Sequence, residues 1–597
     1  MKRRELMRLT AVSSSALGVA GVAGLSGCAA IGAAAKPFAM VIERNLSIPT
    51  RDGGIVKADI FRPDAAGKFP VIMSMGPYPK GIKFKDWSPE NYERQEMKSG
   101  RDDADYMHWE TALPDYWVPQ GYVQIRCDQR GSGASPGLLD ILGPQVQRDY
   151  VDAIEWAGKQ GWSNGNVGLI GDSYFAAAQW LVAQHQPKHL KAILPMAGFS
   201  DHYRDAVRHG GILSSRFLDL WFQGRIKDFQ YGAPKNPTSA SLSTPELEAN
   251  NVWGRDFRQL IRDLPLANDR YFVERTANLS RIKAAVYAHA NSGGLGLHVR
   301  GTIEGFSGAV GASHRHLSIG IGQDPDPLYT RSEAEKQRRF FDRYLKGLNN
   351  GIELEPAVSV VVRKGHASVT RTGSTYPLPG TQARRLYLDA SIASLSGNAP
   401  VVDTRADYRS AYGLPGSGRR FQTSPMASDF ELVGPMRLHL RLSSTASDVD
   451  LFVAVREVRP DGTEVTAQGA TDPAVPVSMG WLRASMRKAD LGRSTDYRTW
   501  HPYDERQALV PQTVYELDVN LWPTAWIVQQ GHRLVLEISG HEQSGMVTFT
   551  HPPVGPYRPN GSTPIANGAA PDSDVTIYSS AIAPSYLVVP LHTPLGT

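Results

Sequence analysis

The sequence predicts an α/β fold in three parts: a mostly parallel sheet with covering helices, a helical insertion within it, and an all-β domain at the C-terminal side. Three observations carry this. Short apolar runs alternate with helical stretches from Pro70 to about residue 200, and the pattern resumes at Ala284. Between about 200 and 280 that rhythm stops and aromatic residues recur at helical spacing. From about 381 onward, short strands follow one another without helices. Strands buried on both faces and alternating with helices form parallel sheets, whereas strands alone form sandwiches or jelly rolls. The 597 residues are enough for three or four domains of ~150 residues each.

Taken in order, Met40-Val41-Ile42 and Ile55 to Phe61 read as strands joined by an Arg/Asp/Gly turn. The buried strands are Val71 to Met75, Tyr122 to Ile125, Val167 to Ile170, Ala192 to Met196 and Ala284 to Tyr287. Phe217, Leu218, Leu220, Trp221 and Phe222 mark the insertion, which a Pro/Ser/Asn loop over 233–245 interrupts. A helix carrying Gln337, Phe340, Phe341 and Tyr344 ends in Lys346-Gly347, a C-cap signal. Leu386 to Leu388, Leu438 to Leu442, Leu451 to Val455, Tyr515 to Val519 and Leu534 to Ile538 supply strands of the last domain.

Composition narrows the function. An apolar share of 41% excludes a mostly disordered chain. The absence of a long apolar run beyond the N-terminus excludes a polytopic membrane protein. Two cysteines cannot build a disulfide framework or a thiolate cluster, and no His/Cys/Glu set has metal-ligand spacing, so neither metal nor cofactor is predicted. Of the net charge of +5, +3 sits in residues 1–27 through Lys2, Arg3, Arg4 and Arg8 against Glu5. The remainder carries +2 and no basic stripe, so nucleic acid is not a predicted partner.

The N-terminal segment reads as an address. A basic stretch to Arg8 precedes a small-residue apolar stretch from Thr10 to Gly24, the pattern of a cleaved signal. Leu25-Ser26-Gly27-Cys28 resembles a bacterial lipobox, and Arg3-Arg4 resembles a twin-arginine signal. These imply export, removal of residues 1–27, and a lipid anchor at Cys28 holding the protein to a bacterial membrane on its periplasmic or extracellular side.

The chemistry centres on Ser173. The strand Val167 to Ile170 runs into Gly171-Asp172-Ser173-Tyr174 and then a small-residue helix through Ala176 to Ala178. A serine on so tight a strand-to-helix turn is strained, with its hydroxyl exposed above the sheet, and the next backbone N–H points where an oxyanion would form. Phe175 departs from the strict five-residue pattern, which places a glycine there.

The chain resembles the cocaine esterase/X-Pro dipeptidyl-peptidase-like (CocE/NonD) serine hydrolases over nearly everything after residue 40. The likeness rests on Gly76-Pro77-Tyr78, Asp128-Gln129-Arg130-Gly131-Ser132-Gly133 and the Ser173 elbow. It extends to Asp448-Val449-Asp450-Leu451-Phe452-Val453, Gly480 to Ser485, Leu521 to Thr524 and Gly531 to Leu534. Beyond the signal at 1–27, the resemblance implies an α/β-hydrolase core over 38–199 and 281–380, a helical cap over 200–280, and a jelly-roll domain over 381–597. It also implies that Tyr78 supplies an oxyanion donor beside the Tyr174 N–H. Its triad places an Asp after one strand and a His after the next. Register on Leu297-His298-Val299-Arg300-Gly301 puts Gly294 at the Asp position, and register on Gln337 to Phe341 puts Gly320 near the His position.

The sequence therefore predicts a hydrolase of an ester or amide, esterase or dipeptidyl-peptidase in type, working through an acyl-enzyme on Ser173 and impaired by two glycines. Its partner is a small ester or peptide substrate. A non-catalytic lipid-anchored binding protein is the competing reading. His298, His314 and His316 are candidate bases, with His298 read as loop support and the other two as strand or surface residues. Asp324 and Asp326 read as a solvated turn.

Overall fold

A computed structural model describes residues 38–98, 106–233, 235–236, 256–414, 417–542, 545–554 and 569–594. The signal and Cys28 lie outside the described residues, as does most of the predicted 233–245 loop. Among the described residues no helix is long and apolar enough to cross a membrane.

The first sheet is built from β1 (Met40–Pro49), β2 (Ile55–Pro63), β3 (Phe69–Gly76), β4 (Val123–Asp128), β5 (Ser163–Asp172), β6 (Leu190–Met196), β7 (Ala285–Asn291), β8 (Arg315–Gly320), β9 (Val358–Lys364) and β10 (Ala367–Gly373). Pairing gives the spatial order 1-2-4-3-5-6-7-8-9-10, parallel from β4 to β9 and antiparallel at both edges. Alternate residues of its strands enter two separate apolar clusters. Val71, Met73, Val167 and Leu169 pack with helices α1 (Pro144–Gly158) and α2 (Tyr174–Ala183). Ile72, Ile170 and Leu194 pack with Phe340, Phe341 and Leu345 of a long helix, Arg331–Lys346. That helix ends at Gly347 in the left-handed conformation, φ 74°, as its C-cap signal predicts.

Between β6 and β7 the chain forms short irregular pieces: a π-helical turn His202–Val207, helix α3 (Ser215–Trp221) and a second π-helical turn Phe222–Ile226. α4 (Val299–Gly308) follows β7.

The C-terminal part is all strands, including Phe430–Ser444, Asp450–Val458, Ser478–Arg483, Tyr515–Val528 and Arg533–Ser539. Two sequence motifs lock together here. Asp450 pairs with Arg483 through two bonds of 2.7 Å, and Asp448 accepts from the Ser485 N–H and hydroxyl at 2.8 and 2.6 Å. The same part pairs with the first sheet at Arg363↔Trp526 and also reaches its loops: the Ala470 N–H donates to the Gly293 carbonyl after β7 at 3.0 Å, and the Arg483 N–H to the Gly210 carbonyl of the insertion at 2.8 Å.

Candidate active site

The site forms where parallel strands end. Ser173 follows β5 with φ 56° and ψ −116°, a conformation that only a tightly held turn imposes on a non-glycine residue. Its N–H is fixed to the Met196 carbonyl at 3.0 Å, and the Asp172 N–H to the Glu110 carbonyl at 3.1 Å. Close approach explains the small residues: a Cβ on Gly171 would lie 2.5 Å from Phe175 Cβ, and one on Gly198 2.4 Å from Ala176 Cβ. Phe175 fits because β3 makes room for it. A Cβ on Gly76 would come within 2.6 Å of its ring.

Ser173 does not use its hydroxyl to cap α2. Instead Oγ lies 3.3 Å from His298 Nε2, and His298 Nδ1 lies 2.7 Å from Asp324 Oδ2. Both His298 and Asp324 are buried. His298 is the N-cap residue of α4, and its own N–H donates to the Gly294 carbonyl at 3.2 Å. Asp324 sits in the loop between β8 and the short helix Asp326–Tyr329.

This arrangement corrects three expectations. Asp324 is not part of a solvated turn; burial and the imidazole N–H hold it. Gly294 and Gly320 do not leave the serine without partners, because each loop supplies its functional residue four positions further on, at His298 and Asp324. His298 is more than loop support. Compared with the order the resemblance implies, the two loops are exchanged: the imidazole follows β7 and the carboxylate follows β8. The basis for a non-catalytic reading disappears with the two glycines.

His314 and His316 are not brought to Ser173. They sit at the start of β8, the opposite end from Gly320, with their Nε2 atoms 2.8 Å apart. Burial and the neighbouring His314 pull the His316 pKa down to about 4.

Tyr78 is buried and lines the same cavity as Ser173, and its hydroxyl accepts a 2.9 Å bond from Trp221 Nε1 of the cap. Burial pushes its pKa well up, so it remains a phenol and a potential donor. The Tyr174 N–H is the first of α2 and has no partner within the helix. One motif supports both residues. Asp128 accepts from the Lys80 N–H at 2.7 Å, fixing the Tyr78 loop, and Gln129 accepts from the Tyr174 hydroxyl at 2.7 Å. Gly131 and Gly133 in this turn have φ 78° and 54°, and a Cβ on Gly133 would strike Asp128 Cγ at 2.3 Å.

Two further acids, Glu110 and Asp172, lie beside Ser173, His298 and Asp324. Glu110 is buried with φ 58°, and its pKa is driven well up by burial, with the Asp324 charge adding to the effect. Asp172 is driven up in the same way, by burial and then by Asp324 and Glu110, and neither of its carboxyl oxygens has a hydrogen-bond partner. Both therefore favour the neutral acid. Nothing local to Glu110 in the sequence signals this; only the fold brings it beside residues 172 and 324.

The cavity has a volume of about 510 Å³. Ser173, His298 and Asp324 line it together with Phe217, Leu218 and Trp221 from the insertion and Thr471 and Phe549 from the C-terminal part.

A strained serine at the end of a parallel strand, backed by an imidazole and a carboxylate, defines a serine hydrolase of the α/β-hydrolase class. Comparison with known proteins agrees. Residues 52–319 match the X-Pro dipeptidyl-peptidase (S15 family) model, and residues 350–587 match the X-Pro dipeptidyl-peptidase C-terminal non-catalytic domain. A CocE/NonD family hydrolase from Staphylococcus aureus has a solved structure that superimposes with a TM-score of 0.79 at 30% identity, covering 92% of this chain and 94% of that one. A cocaine esterase from a Rhodococcus species is 24% identical, with 83% of this chain and 90% of the relative aligned. A putative serine esterase from Mycobacterium bovis shows the same identity and coverage, 24%, 83% and 90%. The chain belongs to the CocE/NonD, X-Pro dipeptidyl-peptidase-like family of serine hydrolases.

Proposed function

We propose that the protein cleaves an ester or amide through an acyl-enzyme on Ser173, with His298 as the base and Asp324 as the orienting carboxylate. The observation that carries this is the hydrogen-bonded series Ser173–His298–Asp324 opening on a 510 Å³ cavity. Asp324 accepts a hydrogen bond from the Nδ1–H, which leaves the Nε2 lone pair facing the serine. As Oγ attacks the carbonyl carbon, its proton passes to Nε2. The carbonyl oxygen takes the charge and is met by the Tyr78 hydroxyl and the Tyr174 N–H. Collapse breaks the bond to the leaving group, which takes the proton back from Nε2. Water, deprotonated by the same nitrogen, then releases the acid and restores the serine.

The test is labelling of the purified protein by a fluorophosphonate. Ser173→Ala and His298→Ala should each abolish the label, while His314→Ala retains it. Labelling that survives His298→Ala would overturn the assignment of the base.

We further propose export and anchoring at Cys28, supported by the lipobox-like Leu25-Ser26-Gly27-Cys28. Metabolic labelling with a palmitate analogue in a bacterial host should depend on Cys28; a Cys28→Ala protein that labels equally would refute it.

A further inference from the structure

The cavity above Ser173 contains a cation that acyl transfer does not use. Arg225 lies in the π-helical turn Phe222–Ile226 of the cap and lines the same cavity as Ser173 and His298. Its guanidinium stacks on Trp87 at 4.4 Å, with Trp109 at 5.8 Å, and Nη1 donates to the Trp87 carbonyl at 3.3 Å. Among the described residues no carboxylate comes within ion-pair distance of it. Arg258, in the same cap, is a useful contrast. It too stacks on a ring, Phe222 at 4.4 Å, but it is also paired with Asp219 and Asp256 at 2.6 Å each.

The acids of the cavity make no ion pair with Arg225, and the pull of Glu110 on it is outweighed by burial. Asp324 is engaged by His298, and Glu110 is held toward its neutral form by burial and by Asp324. Burial already disfavours the charged guanidinium, pulling its pKa down. A partly desolvated cation attracts an anion far more strongly than one in water. Two indole faces hold it in place, so little side-chain freedom remains to be lost when a ligand binds. The group that best matches the donor fork of a guanidinium is a carboxylate.

We propose that Arg225 is a specificity-determining residue, selecting esters or amides that carry a carboxylate within the part of the substrate held in this cavity. The inference rests on the acyl-transfer reading above and adds the substrate class to it.

Two matched ester pairs test it with the full chain. The first places the charge in the acyl group, 4-nitrophenyl hemiglutarate against 4-nitrophenyl butyrate. The second places it in the leaving group, 3-acetoxybenzoate against phenyl acetate. For at least one pair, kcat/KM should favour the anionic ester, and that ratio should fall by about tenfold or more in Arg225→Met and in Arg225→Gln, with Arg225→Lys intermediate. Thermal unfolding midpoints confirm that each variant is folded. A neutral ester preferred in both pairs, or a ratio unchanged in Arg225→Met and Arg225→Gln, overturns the role of Arg225. If no ester is turned over and no fluorophosphonate label appears, the acyl-transfer reading fails, and this inference with it.

Discussion

Replacing Asp324 by Asn tests the exchanged triad without changing its shape. In the native site Asp324 Oδ2 lies 2.7 Å from His298 Nδ1, and in the proposed mechanism it fixes the proton there. An asparagine turned with its NH₂ toward Nδ1 would donate, so the imidazole proton would move to Nε2, the nitrogen that must accept from Ser173 Oγ at 3.3 Å. The carboxylate that stabilises the imidazolium in the transition state would be lost at the same time. Loss of both effects in a triad costs about 10⁴-fold in kcat, or roughly 5 kcal/mol at ~1.4 kcal/mol per decade. Because the three residues act as a unit, Asp324→Asn combined with His298→Ala should fall no further than His298→Ala alone. The assay is steady-state hydrolysis of a 4-nitrophenyl ester together with the rate of fluorophosphonate labelling. If Asp324→Asn keeps more than about a tenth of the wild-type kcat, where a broken triad loses several powers of ten, Asp324 is not the orienting group and the exchange is wrong.

Four further outcomes follow from the same geometry. Tyr78→Phe should lower kcat by about 10²-fold or more with a smaller change in KM, as loss of one oxyanion donor does; an unchanged kcat would remove Tyr78 from the site. Gly294→Asp with Gly320→His should not raise esterase activity, because His298 and Asp324 already serve Ser173, and the added Cβ at 320 would crowd His289 Nε2 at 3.1 Å; a gain would restore the glycine positions to the mechanism. Gly76→Ala should destabilise the fold by roughly 1–3 kcal/mol through overpacking against Phe175, and Phe175→Ala should recover part of that loss in a double-mutant cycle of unfolding free energies; additivity would refute the contact. Acid should weaken the fold through His316, whose pKa is lowered to about 4 in the native state. The unfolded chain binds the proton near pH ~6.5, so this stabilisation is complete above that pH and is lost as the pH falls toward ~4, up to roughly 3 kcal/mol. His316→Asn should therefore flatten the dependence of the unfolding free energy between about pH 7 and pH 5, and an unaltered slope would exclude His316 as a source of it.

Much of the fold was legible because it is written in local pattern. Two-sided apolar runs such as Val71 to Met75 and Val167 to Ile170 can be buried only in a covered parallel sheet, and β3 and β5 are neighbouring interior strands of it. The elbow was legible for a similar reason: small residues around Ser173 are needed wherever strand and helix approach closely. The partners of Ser173 were not. Asp324 lies in Gly322-Gln323-Asp324-Pro325-Asp326-Pro327, whose composition is that of a solvent-exposed turn. It is buried beside His298 and near Glu110, neither of which is near it in sequence. Phe175 misled in the same way, since the space it fills is vacated by Gly76, almost a hundred residues earlier.

The exchange of His and Asp between two loops is chemically permissible because the imidazole bridges two atoms and does not care which strand delivers it. Nε2 must reach Oγ, and Nδ1 must face an acceptor. Any two adjacent loops above the serine can divide those tasks in either order. β7 and β8 are parallel neighbours in register from Val286↔Arg315 to Asn291↔Gly320. Their loops are also tied together independently of the triad: the Ser292 N–H donates to the Gly320 carbonyl at 2.9 Å, and Asn291 Nδ2 to the Gly322 carbonyl at 2.8 Å. The backbone frame thus persists whichever residue each loop carries. What it fixes is the pair of positions from which a side chain can meet Ser173. Matching single residues one by one against the family's order misses this, because the constraint acts on the pair of loops.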